Sequence, residues 1–216
     1  QIHFDFWEML RACLAFVPLW TGLVLIPWNL SWALANLETG ILMLLGLLMI
    51  HFFGLLLLHW QFESIRTQAV LIFTGLGLAW GVISLVASGV VFLTGSFSFH
   101  QMAAAQSGSI FNWHLFRNPF LFALGIIFLG ALLSGQKQYW ISPVFLKQLQ
   151  LSDKRHFPVS LMLYAAAPYA SLFVTSLLFV FLFVGGAFSI LNNSWLFQSL
   201  ELFLKAIGVA MMIMMF

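Results

Sequence analysis

Charge is what this chain has least of. Eight basic and six acidic side chains are spread over 216 residues, 6% charged against 62% hydrophobic, where a water-soluble domain carries roughly 25% charged residues. No soluble fold covers itself with so little polar surface, so the sequence reads as an integral membrane protein. Cysteine is almost missing: Cys13 stands alone, which excludes an intramolecular disulfide and a cysteine-based metal site. A phosphate loop, a dinucleotide fingerprint and a Ser/His/Asp arrangement are all absent. The net charge of +2 comes with no basic cluster outside the loops and carries no nucleic-acid signal. Gln1 to Arg11 is polar and aromatic rather than basic and then apolar, so no cleavable signal is expected. The chain starts without Met and stops inside an apolar run at Phe216, as a fragment, a processed chain or part of a longer one would.

What is present is apolar length. A helix needs about 20 apolar residues to cross a hydrocarbon core of about 30 Å, and six stretches meet that test, roughly 13–35, 40–58, 70–94, 116–134, 160–187 and 195–216. The expected fold is all-α: a single transmembrane domain over 1–216, a polytopic bundle of about six helices. Barrel strands would alternate polar and apolar residues, and 43–58 shows no alternation. Pro18, Pro27 and Pro168 fall inside the expected spans, where neighbouring helices can satisfy the backbone groups they release. Six spans put the loops near 59–69 and 135–159 on the side of the amino end, with Arg11, Arg66, Lys137, Lys147, Lys154 and Arg155; the opposite loops hold Arg117. The positive-inside bias places the first set in the cytoplasm or the mitochondrial matrix.

No internal repeat is evident, against an inverted-repeat transporter. Residues 95–118 mix small, aromatic and amide side chains, which suits a short interfacial helix anchored by Trp113. The loop 135–159 is basic and suits a soluble partner or anionic lipid. Gly75, Gly77, Gly81 and Ala87 would let a neighbouring helix approach span three closely.

Ionisable groups inside a membrane are functional suspects, and Glu201 and Lys205 qualify. They lie four apart on one helix face, in the favourable order. They can relay protons or hold water, or they simply neutralise one another, or Lys205 snorkels to the interface. His51 and His59 share the second span, but haem between helices needs histidines from two spans; buried or interfacial histidine is the better reading. His100, His114 and His156 are loop residues with no acidic or cysteine partner at ligand spacing. Glu63 and Arg66 read as a solvated loop pair. No metal site and no self-contained active site are expected.

The residues Gly95-Ser96-Phe-Ser-Phe-His-Gln-Met-Ala-Ala-Ala-Gln106, then Trp113-His-Leu-Phe-Arg-Asn-Pro119 and an apolar span, resemble the membrane subunit 1 (the H subunit) of respiratory complex I and related membrane-bound hydrogenase subunits. His59-Trp60 resembles that family's Gly-Trp, Phe183-Val-Gly185-Gly186 its Phe-Leu-Gly-Gly, and Leu204-Lys205 the start of its seventh span. The order of landmarks fits spans two to seven of eight, so the first and last spans have no counterpart. The departures are acidic. The family's Pro-Phe-Asp-Leu-Pro-Glu-Ala-Glu is met by Pro143-Val-Phe-Leu-Lys-Gln148-Leu-Gln150, its Ala-Glu by Ala131-Leu132, and the Arg and Glu of its fourth span by apolar residues. An amide or a leucine cannot exchange a proton near neutral pH.

The resemblance implies a divergent, non-catalytic subunit of a proton-translocating NADH:quinone oxidoreductase, in the bacterial plasma membrane or the mitochondrial inner membrane. It would help wall a quinone channel and bind no redox cofactor itself, with quinone at the interface with partner subunits. Its partners would be other membrane and peripheral subunits, quinone and lipid. Lys147, Lys154 and Arg155 would dock the peripheral arm, and Glu201 and Lys205 would be a reduced proton relay. Two other classes remain: a stand-alone carrier or channel, which needs a polar path, and a structural anchor of another assembly.

Overall fold

The computed structural model describes residues 6–29, 34, 36–59, 66–140, 159–187 and 194–215. Every regular element among them is helical: α1 (Phe6–Leu25), α2 (Gly40–His59), α3 (Arg66–Thr94), the short α4 (Phe99–Ala104), a 3₁₀ turn (Ile110–Asn112), α5 (His114–Arg117), α6 (Pro119–Trp140), α7 (Val159–Phe183) and α8 (Trp195–Met215). Three contain described stretches long and apolar enough to cross a membrane, namely Gly77–Thr94, Ala166–Phe183 and Trp195–Met215; three shorter apolar stretches are Cys13–Leu25, Gly40–Leu55 and Pro119–Gly135.

The first helix corrects the expected span. It ends at Leu25 rather than near 35, because a proline disfavours the α conformation of the residue before it and Ile26 precedes Pro27. Pro18 and Pro168, by contrast, lie inside α1 and α7. At the start of α6 Asn118 Oδ1 accepts the Phe120 N–H at 2.9 Å, and Pro119 takes the first helical position, where a missing N–H costs nothing.

α7 is the centre of the bundle. It packs on α1, α6 and α8, while α1 also pairs with α2 and α3 with α6. From Leu177 to Phe183 its side chains are buried. Phe179 and Phe183 meet Phe128 of α6 at ring-centroid distances of 5.6 and 6.0 Å, tilted and edge-on as ring quadrupoles prefer. Lipid tails are as apolar as leucine, so helices in a bilayer associate through close fit instead. At the α1–α2 crossing a Cβ on Gly54 would lie 2.6 Å from both the Ala15 nitrogen and the Leu14 carbonyl oxygen. Pro18 has no N–H for that Leu14 carbonyl four residues earlier, so α2 rests its backbone where α1 is opened. Beside it, the buried His51 donates from Nδ1 to the Ala15 carbonyl and meets Trp80 of α3 edge-on at 6.3 Å.

The small residues of α3 divide. Ala87 is buried and Gly77 faces Phe52, but Gly81 is exposed with nothing within 4 Å of where its Cβ would be.

Candidate functional site

The segment between α3 and α6 is helical in short pieces, as expected, but it is tucked into the protein. Phe99, Met102 and Ala103 are fully buried, and Gln106 and His114 are each 1% exposed. The Ile41 N–H donates to the Phe97 carbonyl at 3.0 Å, which ties the segment to the start of α2. Phe99 meets Phe181 edge-on at 5.0 Å. Trp113 is half-buried.

Gln106 is the hub. Its Nε2 donates to the carbonyls of Phe181 at 2.8 Å and Met102 at 3.3 Å. Its Oε1 accepts the backbone N–H groups of Gly185 at 3.1 Å and His114 at 3.2 Å. A primary amide offers two donors and two acceptor sites, so this one is fully used. His114 Nδ1 donates to the Leu182 carbonyl at 2.8 Å, and the Gly186 N–H donates to the Val180 carbonyl at 3.0 Å. The last carbonyls of a helix have no partner within it; here two are met by side chains from 68 to 75 positions earlier in the chain. Burial holds His114 below the ordinary histidine range, with the Leu182 bond opposing and the Arg117 charge adding to the effect. Its role is that of a neutral donor.

The chain leaves α7 through Gly185 and Gly186, at φ of 82° and 56°, a left-handed region that side chains rarely enter. Space requires glycine as well, since a Cβ on Gly185 would lie 2.6 Å from Trp113 Nε1. On the same cluster α8 places its ion pair. Lys205 Nζ is 2.9 Å from Glu201 Oε1, with side chains 12% and 19% exposed. The ammonium donates a long bond to the Gly186 carbonyl at 3.5 Å and lies 5.0 Å from the Trp113 ring centroid. An anion, a ring face and a carbonyl near the negative end of a helix all favour a cation.

Gln106, Trp113, Gly185, Gly186, Glu201 and Lys205 therefore meet at one place. Gly95, at φ 73°, ends α3; Ser96 Oγ accepts the Ser98 N–H at 3.0 Å; Pro119 opens α6. These three support the segment from its ends. Trp60, Lys147, Lys154 and Arg155 lie outside the described residues. His114 is the contributor that spacing does not point to, since its partner Leu182 is remote in sequence. Among the described residues no group of three or more His, Cys, Asp or Glu could hold a metal ion. Leu132, where the resembled family has a glutamate, is 2% exposed in the core.

An all-helical bundle with apolar helices of membrane-crossing length is an integral membrane protein. No model of a known protein family matches the chain. It is similar to the H subunit of NADH-quinone oxidoreductase from Dinoroseobacter shibae, 26% identical over 188 residues, 82% of this chain and 52% of that protein. The same subunit from Caulobacter vibrioides is 22% identical over 203 residues, 86% of this chain and 54% of the relative. That from Salinibacter ruber is 32% identical over 104 residues, 44% and 29%. The chain spans about half the length of the first two of these curated relatives, and its resemblance to them is distant but consistent.

Proposed function

We propose that the chain is a divergent counterpart of this H subunit: a six-span, non-catalytic membrane subunit of a NADH:quinone oxidoreductase-type complex. It sits beside other membrane and peripheral subunits, which carry the redox cofactors. Its apolar helices help wall a channel for a lipid-soluble quinone, a ligand that suits an apolar lining. The basic segment between α6 and α7, with Lys147, Lys154 and Arg155, docks the peripheral arm on the cytoplasmic or matrix side of the membrane. Glu201 and Lys205 are the remaining candidates for moving a proton, because amide and leucine replace the family's acids at Gln148, Gln150 and Leu132.

One observation carries this reading. Five of the residues on which the resemblance rests, Gln106, Trp113, Gly185, Gly186 and Lys205, meet in one cluster although they are remote in sequence, and the ion pair of α8 belongs to it. A stand-alone carrier needs polar groups along a path, whereas the polar atoms of this cluster are turned onto one another.

The experiment is genetic. Removing the chain from its native membrane abolishes electron transfer from NADH to quinone, and restoring it recovers the activity. The Lys205→Met chain restores quinone reduction but lowers the protons moved per electron. Full NADH:quinone activity without the chain contradicts the assignment. Unchanged proton yield in Lys205→Met leaves that residue a packing role.

A further inference from the structure

We propose that the turn Ile110–Phe111 is a membrane anchor that inserts into the lipid of the leaflet on the side where α3 ends and α6 begins. The turn is a built display rather than a slack loop. The Asn112 and Trp113 N–H groups close it on the Ser109 and Ile110 carbonyls at 3.0 and 3.2 Å. Gly108 enters it at φ 98°, and Asn112 folds its amide back onto the Ser107 carbonyl at 2.7 Å. None of the three residues of the turn is buried, and Phe111 is 82% exposed. Its outward face is therefore isoleucine and phenylalanine, while its polar side chain is spent on its own backbone.

Depth argues for lipid as the occupant. Trp113, next to the turn, is held against Lys205, ten residues along α8 from Trp195. Ten residues of helix rise about 15 Å, half of a hydrocarbon core of about 30 Å. The lysine side chain leans back towards the helix start and shortens that depth by several ångströms. The α8 stretch above it exposes Trp195, Leu196, Phe197, Leu200 and Phe203, a surface fit for lipid. Irregular backbone is tolerated in the hydrocarbon only where protein buries it; Gln106 and His114 provide that burial for the rest of the segment, and the exposed turn is held at the headgroup boundary with its two apolar side chains reaching into the acyl layer. Arg117, shortly after the 3₁₀ turn, is exposed, and 95–118 holds no carboxylate. A guanidinium so placed reaches a lipid phosphate by snorkelling.

The test uses the full chain carrying Cys13→Ala and Phe111→Cys, labelled with an environment-sensitive fluorophore. The labelled chain is reconstituted in phosphatidylcholine–phosphatidylglycerol vesicles with nitroxide lipids. The same label at Leu85, 75% exposed on α3, is the lipid-facing reference and reports correct insertion. The expected result is blue-shifted emission at position 111, quenched by the nitroxide lipids comparably with position 85 and protected from aqueous iodide. Water-like emission quenched by iodide overturns the proposal. So does blue-shifted emission that the nitroxide lipids leave untouched, which would mean that protein covers the turn. A label at Ile110→Cys repeats the measurement on the neighbouring side chain.

Discussion

Lys205 Nζ lies 5.0 Å from the centroid of the Trp113 ring, and through that contact α8 is fastened to the segment that caps α7. The indole is itself fixed, because its Nε1 edge occupies the place a side chain on Gly185 would need. A cation over an aromatic face contributes about 0.5–2 kcal/mol, more as water is excluded. Trp113→Leu and Lys205→Met are accordingly expected to be non-additive by about 1 kcal/mol in a double-mutant cycle. Detergent unfolding measures it. Strict additivity means the contact has no energetic content.

Gln106→Leu removes an amide that satisfies two carbonyls and two N–H groups in the interior. A buried group left without a partner costs about 1–3 kcal/mol, so the loss is expected at about 3 kcal/mol or more. Gln106→Glu keeps the acceptors and loses the donors, and is expected to be nearly as damaging. Thermal unfolding in detergent reads both.

Breaking the ion pair on one side is worse than removing it. Lys205→Met leaves the partly buried Glu201 carboxylate without the ammonium now 2.9 Å away, and breaking one side of an ion pair costs up to about 3–5 kcal/mol when fully buried. The 19% exposure of Glu201 reduces that figure. Glu201→Gln together with Lys205→Met is expected to recover much of the loss. A double variant no more stable than Lys205→Met alone contradicts the pairing.

Gly54→Ala forces α2 away from the α1 backbone, since the added Cβ would overlap the Leu14 and Ala15 main chain. Overpacking of this kind costs about 1–3 kcal/mol. Gly208→Ala on α8 meets open space and is expected to be neutral or slightly stabilising, by up to about 1 kcal/mol. Equal effects at the two glycines rule out close approach as the reason for Gly54.

His114 folds as a neutral donor with its pKa lowered from 6.5, so the unfolded chain binds its proton more readily than the folded one. Its contribution to stability is full above pH 6.5 and is lost as the pH falls from there through the folded value. Unfolding midpoints should therefore drop on acidification below that point. His114→Asn is expected to flatten this slope. An unaltered slope assigns the effect to another group.

Much of the fold is visible in the sequence because membrane helices announce themselves by length. The three stretches of membrane-crossing length, Gly77–Thr94, Ala166–Phe183 and Trp195–Met215, need no knowledge of neighbours, and Glu201 and Lys205 are paired by the helical repeat alone. The Gln106 cluster is different. Three of its bonds join residues 68 to 79 positions apart, a separation no local period encodes, so family resemblance points to its members while the contacts come from the fold. His114 gives no such sign, being a loop histidine with a partner on α7. The Trp113–Lys205 contact is equally invisible, because an interfacial tryptophan and a tryptophan beneath a lysine look alike in one dimension. The end of α1 is written in Pro27, yet the apolar run continues past it, so composition by itself extends the span.

The most direct test of the account is the company the chain keeps. Affinity purification of the full chain from its native membrane in mild detergent is expected to bring down peripheral and membrane subunits of a quinone-reducing oxidoreductase, with the peripheral ones lost when Lys147, Lys154 and Arg155 are changed to glutamate. Recovery of the chain by itself, or with partners that hold no electron-transfer centres, contradicts it.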